Sequence, residues 1–172
     1  MNGVLLLLPM LLIRYGLLYL LNRDALRRAA FFPPMEGGER IAYWVYQLCT
    51  SGIFIYLCFL RVQVGSAWFY VGLGVYGLGL VIFGLATASF ARPSDQGVSE
   101  GGLYRVSRNP MYVGYFVYFL GCVLLTRSVV LMGMLVAFQV SAHWIILAEE
   151  RWCVKELGEG YVRYMGRVRR YL

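Results

Sequence analysis

Residues Ala67 to Phe90 read AWFYVGLGVYGLGLVIFGLATASF, without a lysine, arginine, aspartate or glutamate. That run exceeds the about 20 apolar residues that an α-helix needs to cross the ~30 Å hydrocarbon core of a bilayer. Gly65, Gly72, Gly79 and Ala86 recur in and just before it every seven residues, on one helix face. Small residues aligned this way let helices approach closely in lipid. A hydrophobic share of 60% over 172 residues is too high for a soluble protein of this size. The sequence is that of a single-domain membrane protein, residues 1–172.

Four further apolar runs flank this helix. Gly3 to Leu21 is long enough to span; no positive charge precedes it and no small-residue cleavage pattern follows, so it reads as a retained helix. Arg14 interrupts it, either snorkelling, pairing with a carboxylate or serving a site. Ile41 to Leu60 forms the second span, closed by Arg61 and a turn ending at Gly65. Pro110 to Thr126, the fourth, is marginal in length. Thr126-Arg127-Ser128 breaks it, and Val129 to Leu147 completes a helical hairpin. The expected fold is all-α and polytopic: about five transmembrane helices, the fourth and fifth a hairpin, followed by a C-terminal amphipathic helix.

Five spans place the stretches Asn22–Arg40, Ala91–Arg108 and the C-terminal tail on one side. Arg23, Arg27, Arg28, Arg40, Arg92, Arg105, Arg108, Arg151, Lys155, Arg163, Arg167, Arg169 and Arg170 lie there, thirteen of the sixteen basic residues. Arg61 and Arg127 lie on the other. Basic loops stay cytoplasmic, so the expected N-terminus is outside and the C-terminus cytoplasmic. The compact layout suggests a prokaryotic inner membrane. The net charge of +7 is a membrane effect; no basic–aromatic nucleic-acid motif accompanies it, and no nucleic-acid partner is expected.

Gly101 to Gly114, GGLYRVSRNPMYVG, combines glycines, a polar loop and a helix start. Asn109 suits an N-cap whose side-chain oxygen accepts from an orphan N–H, and Pro110 suits the first helical position. The positive end of such a helix can receive an anion, with Arg105 and Arg108 beside it. A plain capped helix start with interfacial arginines is the alternative. At the other end of the hairpin stand Glu149-Glu150, about 100° apart on one helix. One can meet a ligand while the other pairs with Arg151, Lys155 or a loop arginine; both can also be solvated. Glu150 shares a face with His143, seven residues earlier, which favours Glu150 as the site-facing carboxylate. His143 reads as structural, bonded to a neighbouring helix. From Tyr161 onward, Tyr161, Tyr164, Met165, Val168, Tyr171 and Leu172 share one face, and Arg163, Arg167 and Arg170 the opposite one, as in a helix lying on an anionic membrane surface. Cys49, Cys58, Cys122 and Cys153 lack metal spacing, and no metal site is expected.

Two blocks together resemble the phospholipid methyltransferase and isoprenylcysteine carboxyl methyltransferase family of integral-membrane enzymes. The first is Gly102-Leu103-Tyr104 with Arg108-Asn109-Pro110-Met111-Tyr112-Val113-Gly114; the second is Glu149-Glu150 with Gly158, Tyr161, Tyr164, Val168 and Arg170. Asn109 stands where the eukaryotic carboxyl methyltransferases carry histidine, and no proline-containing finish follows Arg170. The resemblance covers residues 101–170, and with it the expected cofactor-binding part, about 101–172.

The resemblance implies methyl transfer from S-adenosylmethionine to a lipid-like or amphipathic acceptor, phospholipid or isoprenylcysteine carboxylate-like, at the cytoplasmic face among membrane lipids. The implied cofactor-binding residues are Gly102, Tyr104, Arg105, Arg108, Asn109, Pro110, Tyr112, Gly114, Glu149, Glu150, Tyr161 and Tyr164, with Arg108 and Glu150 as the catalytic pair. A carboxylate or thiolate acceptor needs no base, whereas an ammonium acceptor must first lose a proton. The sequence shows no dedicated base, which favours the former. A nicotinamide-dependent reductase of the sterol type and a non-enzymatic scaffold are the alternatives.

Overall fold

The computed structural model describes residues 1–92 and 99–171; residues 93–98 of the second basic loop, and Leu172 of the expected apolar tail face, lie outside it. The described chain is helical. Helix α1, Gly3–Leu21, is followed by a short α2, Arg23–Ala29, then by α3, Glu39–Phe59, and α4, Ala67–Phe90. A 3₁₀ turn, Gly102–Arg105, leads to α5, Pro110–Thr126, and a two-residue connection to α6, Val129–Arg167. Helices α1, α3, α4 and α6 are long and apolar enough to cross a membrane; α5, with 17 residues, is the short fifth.

The glycine spacing builds the centre of the bundle. A Cβ at Gly79 would fall 2.3 Å from the Tyr118 backbone N, and one at Gly121 would fall 2.4 Å from Tyr76 Cα. Gly72 meets Leu125 and Gly114 meets Phe83 in the same way, so α4 and α5 lie antiparallel in fixed register at backbone contact. Dispersion between closely approached helices is the main association force in lipid, and glycine maximises it. Gly65, the first of the expected series, instead ends the turn before α4 with φ +85° and touches nothing.

Although α5 and α6 are consecutive, their principal partners are others. Helix α6 packs on α3, with Tyr46 stacked on Phe138 at 4.9 Å and Ile53, Leu57, Leu131 and Leu135 fully buried. Helix α1 closes the bundle. Its Leu6 carbonyl accepts the hydroxyls of Tyr76 at 2.9 Å and Tyr118 at 2.8 Å, which satisfies two phenols buried in the bundle. Residues Leu12–Leu17 widen into a π-helical turn around Arg14. Arg14 bonds the Ala29 carbonyl at the end of α2, so it is not free in lipid, and among the described residues it has no salt-bridge partner.

The charges after Ala148 do not end α6. It continues to Arg167 with one non-helical residue, Gly158 at φ +59°, so the amphipathic segment is the last part of this helix. Tyr161 and Tyr164 are buried with Cys153, Leu157, Met165 and Val168 around them, and Arg163 and Arg167 are exposed, as patterned. Beyond Arg167 the helical projection fails. Val168 is extended, and the tail returns alongside the loop, with Ser107 bridged in parallel to Arg169 and Arg108 N donating to Arg169 O at 2.9 Å. Arg170 therefore leaves the exposed face.

The basic loops gather at this same end. Asn22 caps α2 and donates to Ala91 O at 3.1 Å, Phe31 meets Trp152 at 5.1 Å, and Arg151 binds Glu39 through two 2.7 Å hydrogen bonds. Arg151, a possible partner of its neighbouring glutamates by sequence, serves Glu39 instead.

Candidate functional site

Glu150 sits one turn beyond the membrane-spanning part of α6 and is only 4% exposed. Burying a carboxylate is tolerated only with cations and donors around it, and two distant chain segments supply them. Arg170 places Nη2 at 2.8 Å and Nε at 3.0 Å from Oε2; Arg108 Nε lies 3.3 Å from Oε1, and Asn109 Nδ2 donates to Oε1 at 3.4 Å. One carboxylate thus ties the loop before α5 and the returning tail to α6.

This arrangement differs from four expectations. Asn109 occupies the N-cap position, but its side chain makes no capping bond; it donates to Glu150 and to Arg170 O at 3.2 Å. Ser107, a residue missed by sequence reasoning, takes over locally: its hydroxyl accepts from Asn109 N at 3.2 Å and donates to Arg170 O at 3.3 Å. Arg108 is not an interfacial arginine, since its side chain is 9% exposed. Glu150, expected to face a ligand, is enclosed by protein. The face shared with His143 was read correctly, but the tail covers it: His143 Nδ1 lies 2.7 Å from Tyr171 Oη just as Glu150 holds Arg170. His143 is bonded to this tail and not to a neighbouring helix.

Glu149 stands differently. It accepts one hydrogen bond, from Tyr112 Oη at 2.9 Å, and is only partly buried. Its second oxygen has no partner among the described residues. Burial pushes its carboxyl up to about 7, against the Tyr112 bond and the charge of Arg14, which pull it down. Tyr112 in turn lies 6.5 Å from Tyr46 of α3, a wall residue that no motif in the sequence marks. Arg108 Nε is buried without a hydrogen bond of good geometry. An unbonded carboxylate oxygen, the Arg108 guanidinium paired with Glu150 and tyrosine rings therefore gather at one end of the bundle.

The remaining predicted residues divide between this cluster and its support. Tyr164 Oη donates to Tyr104 O at 2.7 Å, and Tyr161 lies 5.7 Å from Tyr164, so these three tyrosines are buried as bracing. Pro110 begins α5 as expected, and Gly114 is in helix contact with Phe83, away from the polar cluster. Gly102 has φ +56° and approaches Ser89, which lets the loop close on the end of α4. Arg105 is exposed and joins none of these bonds.

A helical membrane bundle whose loop and tail converge on paired glutamates defines a class, and the chain matches the phospholipid methyltransferase family over residues 60–160. The match takes in more than half of the sequence, and the chain belongs to that family. It is an integral-membrane methyltransferase by that membership. No curated protein and no solved structure matches the chain.

Proposed function

We propose that this protein transfers a methyl group from S-adenosylmethionine to an amphipathic acceptor, a phospholipid headgroup or an isoprenylcysteine-like carboxylate, at the cytoplasmic membrane face. The observation that supports it most is the convergence of the two sequence blocks, 149–170 and 102–114, through the Glu149–Tyr112 and Glu150–Arg108 contacts. The residues fit the cofactor's chemistry. The free oxygen of Glu149 suits an ammonium or ribose hydroxyl, and Tyr112 and Tyr46 offer faces for a sulfonium. The thirteen-to-two distribution of basic residues supports the cytoplasmic placement of this end.

When bound, the cofactor supplies an electrophilic methyl for an in-line displacement. The protein's part is positioning and exclusion of water. Glu150, Arg108 and Arg170 fix the loop against the helix, so they act as positioning residues. Glu149, Tyr112 and Tyr46 are the groups in this reading that touch the ligand.

Titration of detergent-purified protein with S-adenosylhomocysteine and, separately, NADPH tests the reading. Saturable binding of the first, weakened about tenfold or more by Glu149→Gln on loss of a charge-assisted bond, is expected. Binding of NADPH alone, or of neither, overturns it.

A further inference from the structure

At the end of the bundle away from Glu150, an apolar groove of about 350 Å³ opens between α4, α5 and α6. Trp68, Leu124, Val129 and Met132 form its walls, and Arg127 and Ser128 stand in it at the α5–α6 connection. Its size is at the lower end of small-molecule sites. Trp68 is 59% exposed and Val129 85% exposed, so no protein covers these walls.

Two independent features concern Arg127. It adopts φ 51° and ψ 33°, and among the described residues it is the only non-glycine with positive φ. Glycine or asparagine meets that backbone at helix C-termini with less strain. An arginine there is held against its own backbone preference, and strain of this kind is a reason to look for a function. The second feature is charge. The eight carboxylates among the described residues fall between 24 and 39, at 100, and between 149 and 159, all in stretches at the Glu150 end. The far end carries Arg61 and Arg127 and, among the described residues, no acid. Arg127 bonds Ser66 Oγ through Nη2, which leaves the rest of its donor fork without a protein anion. A cation above an apolar groove, at the boundary of a span, complements a phosphate above an acyl chain.

We propose that this groove seats one anionic phospholipid from the leaflet opposite the methyltransferase site, its chain along Trp68, Leu124 and Met132 and its phosphate on Arg127 and Ser128. The site is independent of the methyl-transfer reading.

The test is native mass spectrometry of the full chain released from bilayers of equal phosphatidylglycerol and phosphatidylcholine. Wild type is expected to retain phosphatidylglycerol about tenfold over phosphatidylcholine, the scale of one charge-assisted contact. Arg127→Gly relieves the backbone and removes the cation, so the thermal midpoint should rise while the preference disappears. Arg127→Asn, which also tolerates this backbone, gives the same readout if the glycine variant does not fold. No lipid preference in wild type, or a preference that survives both substitutions, overturns the proposal.

Discussion

Replacing Glu150 by glutamine removes one charge and leaves the volume of the side chain intact. Arg108, with a side chain 9% exposed, then loses its counter-ion, and Arg170 loses both of its charge-assisted bonds. Breaking a buried ion pair from one side destabilises by about 3–5 kcal/mol. Glutamine keeps an acceptor oxygen for Asn109 and opens no cavity, so the lower figure of about 3 kcal/mol applies. Arg170→Gln is gentler, because Arg170 is 33% exposed and Arg108 stays beside the carboxylate; about 1 kcal/mol follows for a partly solvated charge-assisted bond. At about 2–4 °C per kcal/mol for a domain of this size, the glutamate change lowers the unfolding midpoint in detergent by about 6–12 °C, several times more than the arginine change. The double variant Arg108→Gln/Glu150→Gln regains part of that loss, since it leaves no unpaired buried charge. A midpoint for Glu150→Gln within about 1 °C of wild type, or equal losses at Glu150 and Arg170, would refute the buried-brace reasoning.

Three other outcomes follow from the geometry. Gly79→Ala must push Tyr118 and should destabilise by about 1–3 kcal/mol as overpacking, whereas Gly74→Ala, with nothing within 4 Å, should be neutral or stabilising by up to about 1 kcal/mol; thermal unfolding of both decides. Tyr171→Phe removes the hydroxyl that holds His143 and should free the tail, read as faster trypsin cleavage at Arg169 or Arg170 with an unchanged bundle midpoint. A cysteine reporter after Leu172 should label from the cytoplasm and one at Gly65 from outside; labelling of both from one side breaks the five-span reading.

The spans were legible because each signal was long and local. Ala67–Phe90 and Pro110–Thr126 match their expected limits, the first fixed by its lack of charge and the second by Pro110 and by Thr126-Arg127-Ser128. The glycine spacing announced a close contact but not its partner, because the facing glycines, Gly114 and Gly121, lie on another helix. The sequence singled out residues that the fold brings together at one end, but not how they pair. Charge at Glu149 and Glu150 looked like the end of a helix, yet charged residues are good helix formers, and α6 runs on to Arg167. A helical projection then carried Arg170 to the wrong face, since nothing in Val168–Tyr171 marks the change to extended chain that brings it to Glu150. The Asn109 oxygen was assigned to the helix start by its residue type, but a buried carboxylate competes for the same amide.

The contrast between the two glutamates also bears on the acceptor. Glu150 has partners on both of its oxygens. Glu149 is raised by burial from 4.5 to about 7, and its neutral form is therefore the one the fold favours. Stability from this group is present below pH 4.5 and declines as the pH rises to about 7, where ionisation inside the protein becomes forced. In the proposed site a carboxyl raised in this way is a candidate proton acceptor, provided that its free oxygen takes a ribose hydroxyl of the cofactor and not the ammonium, which would hold it ionised. In the proposed reaction an ammonium acceptor must lose a proton before its lone pair can attack, and ionised Glu149 can take it. A carboxylate acceptor needs no such help, and an ionised Glu149 beside it would repel it. The two acceptor classes thus predict opposite slopes. With saturating cofactor, single-turnover transfer to a phosphatidylethanolamine-type amine should rise through pH 7, by on the order of tenfold per unit on the acid side. Transfer to a prenylated cysteine carboxylate should be flat or fall over the same interval. Glu149→Gln should flatten either profile, and a profile that keeps its slope in that variant would remove Glu149 from the proton path.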